Sequence, residues 1–212
     1  MQTIAVIDYG SSNLRSVSKA LNYVADKHTR IIVSDEATII SVADKIVFPG
    51  QGAMGQCMRN LADKRLEDVL RDSIENKPFL GICLGLQSLL EESEEDNGTP
   101  GLGIIPGCVK KFGTGARDKK KGALKIPHMG WNKVEIKKKD PLFDKVDAAP
   151  YFYFVHSYYV VPKDQNMVAT VTNYGVEFVS GIQYKNIYAF QFHPEKSQTM
   201  GLSLLERFSN IN

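Results

Sequence analysis

The 212-residue chain has little of what marks a specialised class of proteins. Its three cysteines, Cys57, Cys83 and Cys108, lie far apart with no CxxC spacing, so neither a disulfide framework nor a zinc site is indicated. We expect Cys57 and Cys108 to be packing residues. The formal net charge of +2 gives no strong field, and the basic runs carry no interleaved aromatic residues. Nucleic-acid binding is therefore not expected.

Long hydrophobic runs are also absent. No apolar segment reaches the roughly 20 residues that span a bilayer. The first seven residues (MQTIAVI) lack a basic leader and a cleavage site, so we expect a cytoplasmic protein with no membrane role. There is no internal repeat or long linker, and the 43% hydrophobic content suffices for one sizeable core. Residues 1–212 are therefore predicted to form a single domain.

The two halves of the chain differ in their hydrophobic patterns. In the first half, strands at 3–7, 30–33, 45–48 and 79–82 alternate with helices at about 13–24, 53–62 and 66–76. This alternation is typical of right-handed crossovers and a parallel sheet covered on both faces. The second half predicts a closing helix at 198–209 and strands at 109–112, 133–136, 151–154, 158–161, 167–172, 177–184 and 187–192. The fold class is therefore α/β with a β-rich second half.

Residues 78–87 (PFLGICLGLQ) place Cys83 between two glycines, where a buried strand gives way to helix-compatible residues up to about position 90. Gly81 and Gly85 supply the freedom that a sharp strand-to-helix turn needs. The amides that open the helix favour a thiolate and can bind a developing oxyanion. Cys83 is therefore a candidate nucleophile, with an inert core cysteine as the alternative.

A second apolar strand ends in His193, Pro194 and Glu195. Pro194 ends the strand because proline cannot donate to a sheet ladder, and an i, i+2 pair of extended residues projects to one side. A carboxylate bound to one ring nitrogen leaves the other nitrogen to accept a thiol proton. His193 is thus the candidate base and Glu195 its orienting group. The alternatives are a surface histidine and a charge at a helix start.

These motifs give the chain a resemblance to a known family. GICLG followed by HPE is similar to the class I (triad) glutamine amidotransferases, and the narrower resemblance is to the glutaminase subunits of imidazole glycerol phosphate synthase. Ser12 departs from it, since the family commonly has glycine there, and residues 113–124 form a variable loop with Lys119–Lys121. The matching blocks follow the family order across nearly the whole chain: 8–17 (DYGSSNLRSV), 49–53 (PGQGA), 101–107 (GLGIIPG), 126–132 (IPHMGWN), 153–159 (YFVHSYY) and 191–197 (QFHPEKS).

The resemblance implies the class I glutamine amidotransferase (flavodoxin-like) fold, with a mixed, mostly parallel central sheet flanked by helices. It implies L-glutamine as the substrate, neither a metal nor an organic cofactor, and a heterodimer with a (β/α)8-barrel cyclase that receives the ammonia. Ligands in such sheets bind beyond the carboxyl ends of strands, where Cys83 and the turn at 49–52 (PGQG) should meet. That turn could also be no more than a tight loop.

The resemblance also implies further site residues. The oxyanion hole is assigned to the amides of Leu84 and Gln51, with Gly50 and Gly52 as hinges of a peptide rotation that keeps the resting enzyme nearly inactive. Glutamine would be held by Gln87, Glu95, His156, Ser157 and Tyr158. The partner would be faced by Trp131 and Asn132, with Asn13 a weaker candidate. His128 and His156 lack a following Pro-Glu and are expected to be binding or structural residues.

Three other interpretations stay open at this level. A paralogous glutaminase subunit could deliver ammonia to a different synthase, such as one that amidates a surface sugar, and its triad would look the same. A catalytically inactive scaffold conflicts with the intact Cys83, His193 and Glu195. A stand-alone cysteine peptidase could share an elbow cysteine and a histidine, but the HPE motif and residues 129–132 disfavour it.

Overall fold

The computed structural model describes residues 1–113, 117–118, 122–144, 146 and 149–211. The run Lys119–Lys121, predicted as part of a variable loop, lies outside these residues. The described helices are α1 (Leu14–Val24), α2 (Ala37–Val42), α3 (Met54–Asp63), α4 (Glu67–Asn76), α5 (Leu84–Gln87) and α6 (Gln198–Asn210). The described strands are β1 (Gln2–Ile7), β2 (Thr29–Ser34), β3 (Lys45–Gly50), β4 (Phe79–Cys83), β5 (Leu90–Ser93), β6 (Thr99–Pro100), β7 (Ile105–Lys111), β8 (Arg117–Asp118), β9 (Gly122–Ala123), β10 (His128–Ile136), β11 (Tyr151–His156), β12 (Tyr158–Pro162), β13 (Val168–Asn173), β14 (Glu177–Tyr184) and β15 (Ile187–Phe190).

Thirteen of the described strands form one mixed sheet. Its order begins β2-β1-β3-β4-β15, and these five neighbours are parallel. From β15 the sheet continues through β14, β12 and β7 in antiparallel pairs, and β10, β11 and β13 extend it beside β14. The α/β first half and the β-rich second half predicted from the sequence are both confirmed. β15 joins the two halves, because the chain returns from the antiparallel part to pair with β4.

Alternate residues of the parallel strands enter two apolar layers. In β1, Ala5 and Ile7 face the side covered by α3 and α4, while Ile4 and Val6 face the side covered by α1 and α6. Continuous burial of both faces explains the mainly apolar runs of the central strands β3, β4 and β15. Among the described residues, no helix is long and apolar enough to span a membrane.

The structure departs from the sequence prediction after Cys83. The predicted helix is only four residues long, and Leu90 begins strand β5 instead. The amides of Ile104 and Ile105 both donate to the carbonyl oxygen of Leu89, and β5 pairs with β7. Leu89 and Leu90 are fully buried in the core. Their apolar character suits a buried strand as well as a helix, so periodicity could not separate the two. Helix α2 was also missed.

The turn at Cys83 depends on a very close backbone approach. A Cβ atom at Gly85 would lie 1.9 Å from the carbonyl oxygen of Phe48 in β3. A Cβ atom at Gly81 would lie 2.7 Å from the carbonyl oxygen of Gly85. Neither glycine has a positive φ, whereas Cys83 itself has φ 55° and ψ −104°. Close packing therefore requires glycine at positions 81 and 85, whereas Cys83 is the residue of this turn that adopts a positive φ.

We expect Gly85→Ala to lower the free energy of unfolding by about 2–3 kcal/mol, because the added methyl group would force β3 and α5 apart. Chemical denaturation measures the change. Gly113→Ala is the matched control, since nothing lies within 4 Å of a Cβ atom there, and it should stay within about 0.5 kcal/mol of the parent. Equal stability of the two variants would show that α5 can move without cost.

Candidate active site

Cys83 ends strand β4 on the turn into α5. It is 7% exposed and lines a cavity of about 400 Å³. Strand register places Gly50, at the end of β3, directly opposite Cys83. The carboxyl ends of β3 and β4 therefore meet at the cavity, as expected for a ligand site in an α/β sheet. A strained strand-to-helix turn that lifts a nucleophile off the sheet is the geometry of a nucleophile elbow.

His193 and Glu195 reach the same place from the end of β15. His193 Nδ1 lies 2.8 Å from Glu195 Oε1, and both side chains are fully buried. The predicted extended i, i+2 arrangement is wrong in its detail, because β15 ends at Phe190 and residues 194–196 form a single 3₁₀ turn. The turn brings the carboxylate back under the imidazole. A backbone bond from the His193 amide to the Tyr153 carbonyl, 2.9 Å, holds the segment.

The charge state of His193 depends on its two anionic neighbours. Burial acts to lower the pKa of His193, but the Cys83 thiolate and the Glu195 carboxylate outweigh it and raise the pKa to about 10. His193 Nε2 has no hydrogen-bond partner within the described part of the chain. Because Nδ1 is occupied by Glu195, Nε2 is the nitrogen that can exchange a proton with sulfur. The arrangement suits an imidazolium paired with a thiolate.

The oxyanion assignments lie around the turn after β3. Gln51 and Leu84 line the cavity beside Cys83. A Cβ atom at Gly50 would lie 2.6 Å from Leu84 Cβ, so only glycine fits there. Gly52 has φ +92° and open space around it, which is the conformational freedom that a hinge needs. The peptide rotation itself stays a prediction.

The predicted glutamine-binding residues all line this cavity. Glu95 Oε2 accepts a 2.6 Å hydrogen bond from the Met54 amide, which anchors the carboxylate at the start of α3. Gln87 uses its side-chain amino group on the carbonyl oxygen of Tyr158, 3.1 Å, and on Gln191 Oε1, 3.0 Å. The Gln87 side-chain oxygen is therefore the part of this residue that remains for a ligand.

His156 is satisfied inside the protein. Its Nδ1 lies 2.7 Å from the carbonyl oxygen of Tyr158, which can only accept, so Nδ1 carries the proton. His156 Nε2 then accepts from His128 Nδ1, 2.9 Å away, and Asn132 Nδ2 lies 3.2 Å from His128 Nε2. Burial lowers the pKa of His128 to about 4 and that of His156 to about 3, so both rings are neutral near pH 7. The His156 ring is thus no free donor for substrate, and it acts by fixing the Tyr158 carbonyl.

Comparison with known proteins agrees with this geometry. The family model for glutamine amidotransferase class-I matches residues 5–210. The chain belongs to the class I glutamine amidotransferases. It is 50% identical over 212 residues to imidazole glycerol phosphate synthase subunit HisH of Nitrosococcus oceani, covering 100% of this chain and 99% of the relative. The HisH of Nitrosomonas europaea is 51% identical over 209 residues, covering 98% of each chain.

Solved structures show the same fold at low sequence identity. A crystal structure of a glutamine amidotransferase matches with a TM-score of 0.70 at 14% identity, covering 98% of this chain and 99% of the other. The glutaminase domain of Trypanosoma brucei CTPS matches with a TM-score of 0.64 at 17% identity, covering 100% and 95%. The class I amidotransferase fold predicted from the sequence is therefore confirmed.

The predicted partner-facing residues of this amidotransferase fall in two environments. Trp131 on β10 is 46% exposed, and Asn132 beside it is half-buried. Asn13 is only 4% exposed, and its Nδ2 lies 3.4 Å from Glu195 Oε1. Asn13 lies behind the triad at the start of α1 and supports the Glu195 carboxylate, and its part in a partner contact stays a prediction.

Several site residues were not identified from the sequence. Gln191 is fully buried and its Nε2 lies 3.5 Å from Cys83 Sγ. Ser197 Oγ donates to the His193 carbonyl at 2.6 Å and accepts from the Tyr153 amide at 3.0 Å. Both belong to the QFHPEKS block, so their position beside the triad was a usable signal. Lys196 belongs to the same block and also lines the cavity, with its Nζ 5.9 Å from the centre of the Tyr153 ring.

We expect Cys83→Ser to lower the pKa of His193, because a neutral hydroxyl removes the negative charge that favours the imidazolium while the burial remains. Titration of the imidazole by NMR measures it. Cys108→Ser, at a half-buried cysteine outside the cavity lining, is the control and should leave the titration unchanged. An identical His193 titration in Cys83→Ser would show that the Cys83 thiolate does not raise the pKa of His193.

Proposed function

We propose that the cavity at Cys83 hydrolyses L-glutamine to glutamate and that the ammonia passes to a (β/α)8-barrel cyclase subunit, as in imidazole glycerol phosphate synthase. The observation that carries this proposal is that Cys83, which lines the cavity, lies against the fully buried His193–Glu195 pair. The full-length identity of about half to the HisH subunits supports it. In this proposal residues 1–212 act as one glutaminase domain in the cytoplasm.

The chemistry follows from the charges at the site. The Cys83 thiolate attacks the side-chain carbonyl carbon of glutamine, and the carbonyl oxygen takes the negative charge. Backbone amides of Leu84 and Gln51 stabilise that oxyanion. His193 gives its Nε2 proton to the departing nitrogen, which leaves as ammonia with formation of a thioester. His193 then takes a proton from water, and the hydroxide hydrolyses the thioester to glutamate while the thiolate is restored.

The cavity also fits the other end of glutamine. The Glu95 carboxylate and the Gln87 side-chain oxygen are acceptors for the α-ammonium group. The segment of Ser157 and Tyr158 lines the same cavity and would bind the α-carboxylate. Separate anionic and neutral acceptors for the ammonium group fix the amino acid in one orientation, which aims its carboxamide at sulfur.

The partner surface is proposed on the outer face of β10 and β11. Met129, Trp131 and Tyr151 are all exposed there, and the two strands pair in the register that places Trp131 opposite Tyr153. Tyr153 lines the active-site cavity, so this face is continuous with the place where ammonia forms. The HisH relatives, which are named as subunits of a synthase, favour the histidine-pathway cyclase over a surface-sugar synthase.

We expect Cys83→Ala to abolish glutamine-dependent synthesis by the assembled complex and to leave synthesis from added ammonia intact, because only the nucleophile is lost. The assay follows imidazole glycerol phosphate formation with each nitrogen source. Cys108→Ala is the matched control and should keep both activities. Loss of both activities in Cys83→Ala would mean that the chemistry has been misplaced. Full glutamine-dependent synthesis in that variant would exclude the thioester.

We expect His193→Ala to lower kcat for glutamine hydrolysis by about 10⁴-fold or more, because the group that exchanges a proton with Cys83 is lost, and Glu195→Gln to lower it by less. Stopped-time assays of glutamate release by the complex measure both effects. His28→Ala is the control, because His28 is exposed and lies in the turn just before β2. An unchanged rate in His193→Ala would remove its assignment as the base.

A further inference from the structure

We propose that Gln191 is a fourth catalytic residue, whose side-chain amide donates a hydrogen bond to Cys83 Sγ and so favours the thiolate. This inference rests on the proposed use of Cys83 as the nucleophile. Gln191 lies just beyond the end of β15 and is completely buried. Its Nε2 is 3.5 Å from the sulfur, a normal distance for an N–H donor to sulfur. No step of the mechanism above uses this contact.

The orientation of the Gln191 amide is fixed by its neighbours. Its oxygen accepts from Gln87 Nε2 at 3.0 Å, and the same nitrogen donates to the Tyr158 carbonyl oxygen at 3.1 Å. A backbone carbonyl can only accept, so Gln87 must present its amino group on this side. Gln191 must then meet that amino group with its oxygen. The Gln191 amino group is left facing the sulfur, and a flipped amide would place oxygen against a thiolate.

The Tyr158 carbonyl is itself held from a second direction. His156 Nδ1 donates to it at 2.7 Å, and His128 Nδ1 lies 2.9 Å from His156 Nε2. The two neutral rings therefore fix the position of the acceptor that orients Gln87. Gln87 is a positioning residue in this account, because it reaches the sulfur only through Gln191. This chain of bonds explains why two buried histidines lie near the nucleophile without acting as its base.

At this buried position an uncharged hydrogen-bond donor can stabilise the Cys83 thiolate without the desolvation cost of a second cation. His193 already supplies the positive charge, and a further buried cation without its own partner would be costly. A hydrogen bond donated to an ionised thiolate stabilises it enough to lower the pKa of the thiol by about one unit. The bond must also weaken when sulfur becomes a neutral thioester, so Gln191 favours the charged state of the nucleophile over the covalent intermediate.

The test is the pH dependence of Cys83 alkylation in the isolated chain. Iodoacetamide forms an S–C bond with the thiolate and releases iodide, and mass spectrometry of the Cys83 peptide gives the rate separately from Cys57 and Cys108. In Gln191→Met, which keeps the length of the side chain without its donor, the midpoint of the rate profile should rise by about one pH unit. At pH values well below both midpoints the rate should fall about tenfold, and the high-pH plateau should stay the same or rise.

Two further variants separate this role from a purely structural one. Gln87→Met removes the group that orients Gln191 and should raise the midpoint by a smaller amount. Gln183→Met, on the neighbouring strand β14 where the side chain donates to the Lys185 carbonyl, should change nothing. A midpoint equal to the parent's in folded Gln191→Met would overturn the proposal, and so would an equal loss of rate at every pH. If Gln191→Met does not fold, an unchanged midpoint in Gln87→Met overturns it.

The remaining titratable groups around the thiol are the same in all these variants. They are His193 and Glu195 after β15, Glu95 after β5, His156 on β11, and Tyr153, Tyr158 and Lys196 on the cavity wall. The alkylation assay needs neither glutamine nor a partner subunit. A complex that never releases glutamate from glutamine would therefore end the proposed function, while the alkylation profile would still decide the role of Gln191.

Discussion

The contact between α5 and β3 is the constraint on which the active site depends. The Phe48 carbonyl oxygen lies where a side chain at Gly85 would have to begin. Because β3 and α5 approach each other this closely, the turn between β4 and α5 is tight. Cys83, at this turn, has a positive φ of 55°. The conformation costs roughly 1–3 kcal/mol. The buried strands β3, β4 and β15 around it supply the packing that maintains it, and the thiol is thereby held at the edge of the sheet rather than within it.

The second requirement is that distant parts of the chain meet at this edge. β15 pairs with β4 in parallel register, with Phe190 opposite Ile82, so the segment after β15 emerges next to Cys83. The single turn at 194–196 then folds Glu195 back beneath His193. Asn13, at the start of α1, and Ser197, before α6, support the carboxylate and the His193 backbone. The triad is thus assembled where three independent elements converge, and each is fixed by core packing.

Much of this could be predicted from the sequence because the relevant constraints are local. Apolar runs with glycine and proline at their ends gave most strands of both halves to within a few residues, and GICLG and HPE indicated the reactive groups. Non-local constraints could not be predicted. Leu89 and Leu90 suit a helix or a buried strand equally, and only pairing with β7 decides between them. The link from Asn13 to Glu195 spans 182 positions, and no local pattern encodes it. The contact between Gln191 and Cys83 could not be predicted either, because it depends on the orientation of the Gln87 side chain.

Buried polar atoms without a hydrogen-bond partner also mark the active site. Among the described residues, four buried side-chain atoms lack a hydrogen-bond partner: Tyr9 Oη, Ser73 Oγ, His193 Nε2 and Glu195 Oε2. Two of them belong to the triad, and the Tyr9 hydroxyl lies 2.7 Å from where a Cβ atom at Gly50 would stand. Ser73, on α4, lies outside the site, and other buried polar groups are paired, as Lys45 is with the Ser209 carbonyl at 2.6 Å. Leaving a buried group unpaired costs about 1–3 kcal/mol. At His193 the unpaired Nε2 is free to move a proton, which a fully paired site would prevent.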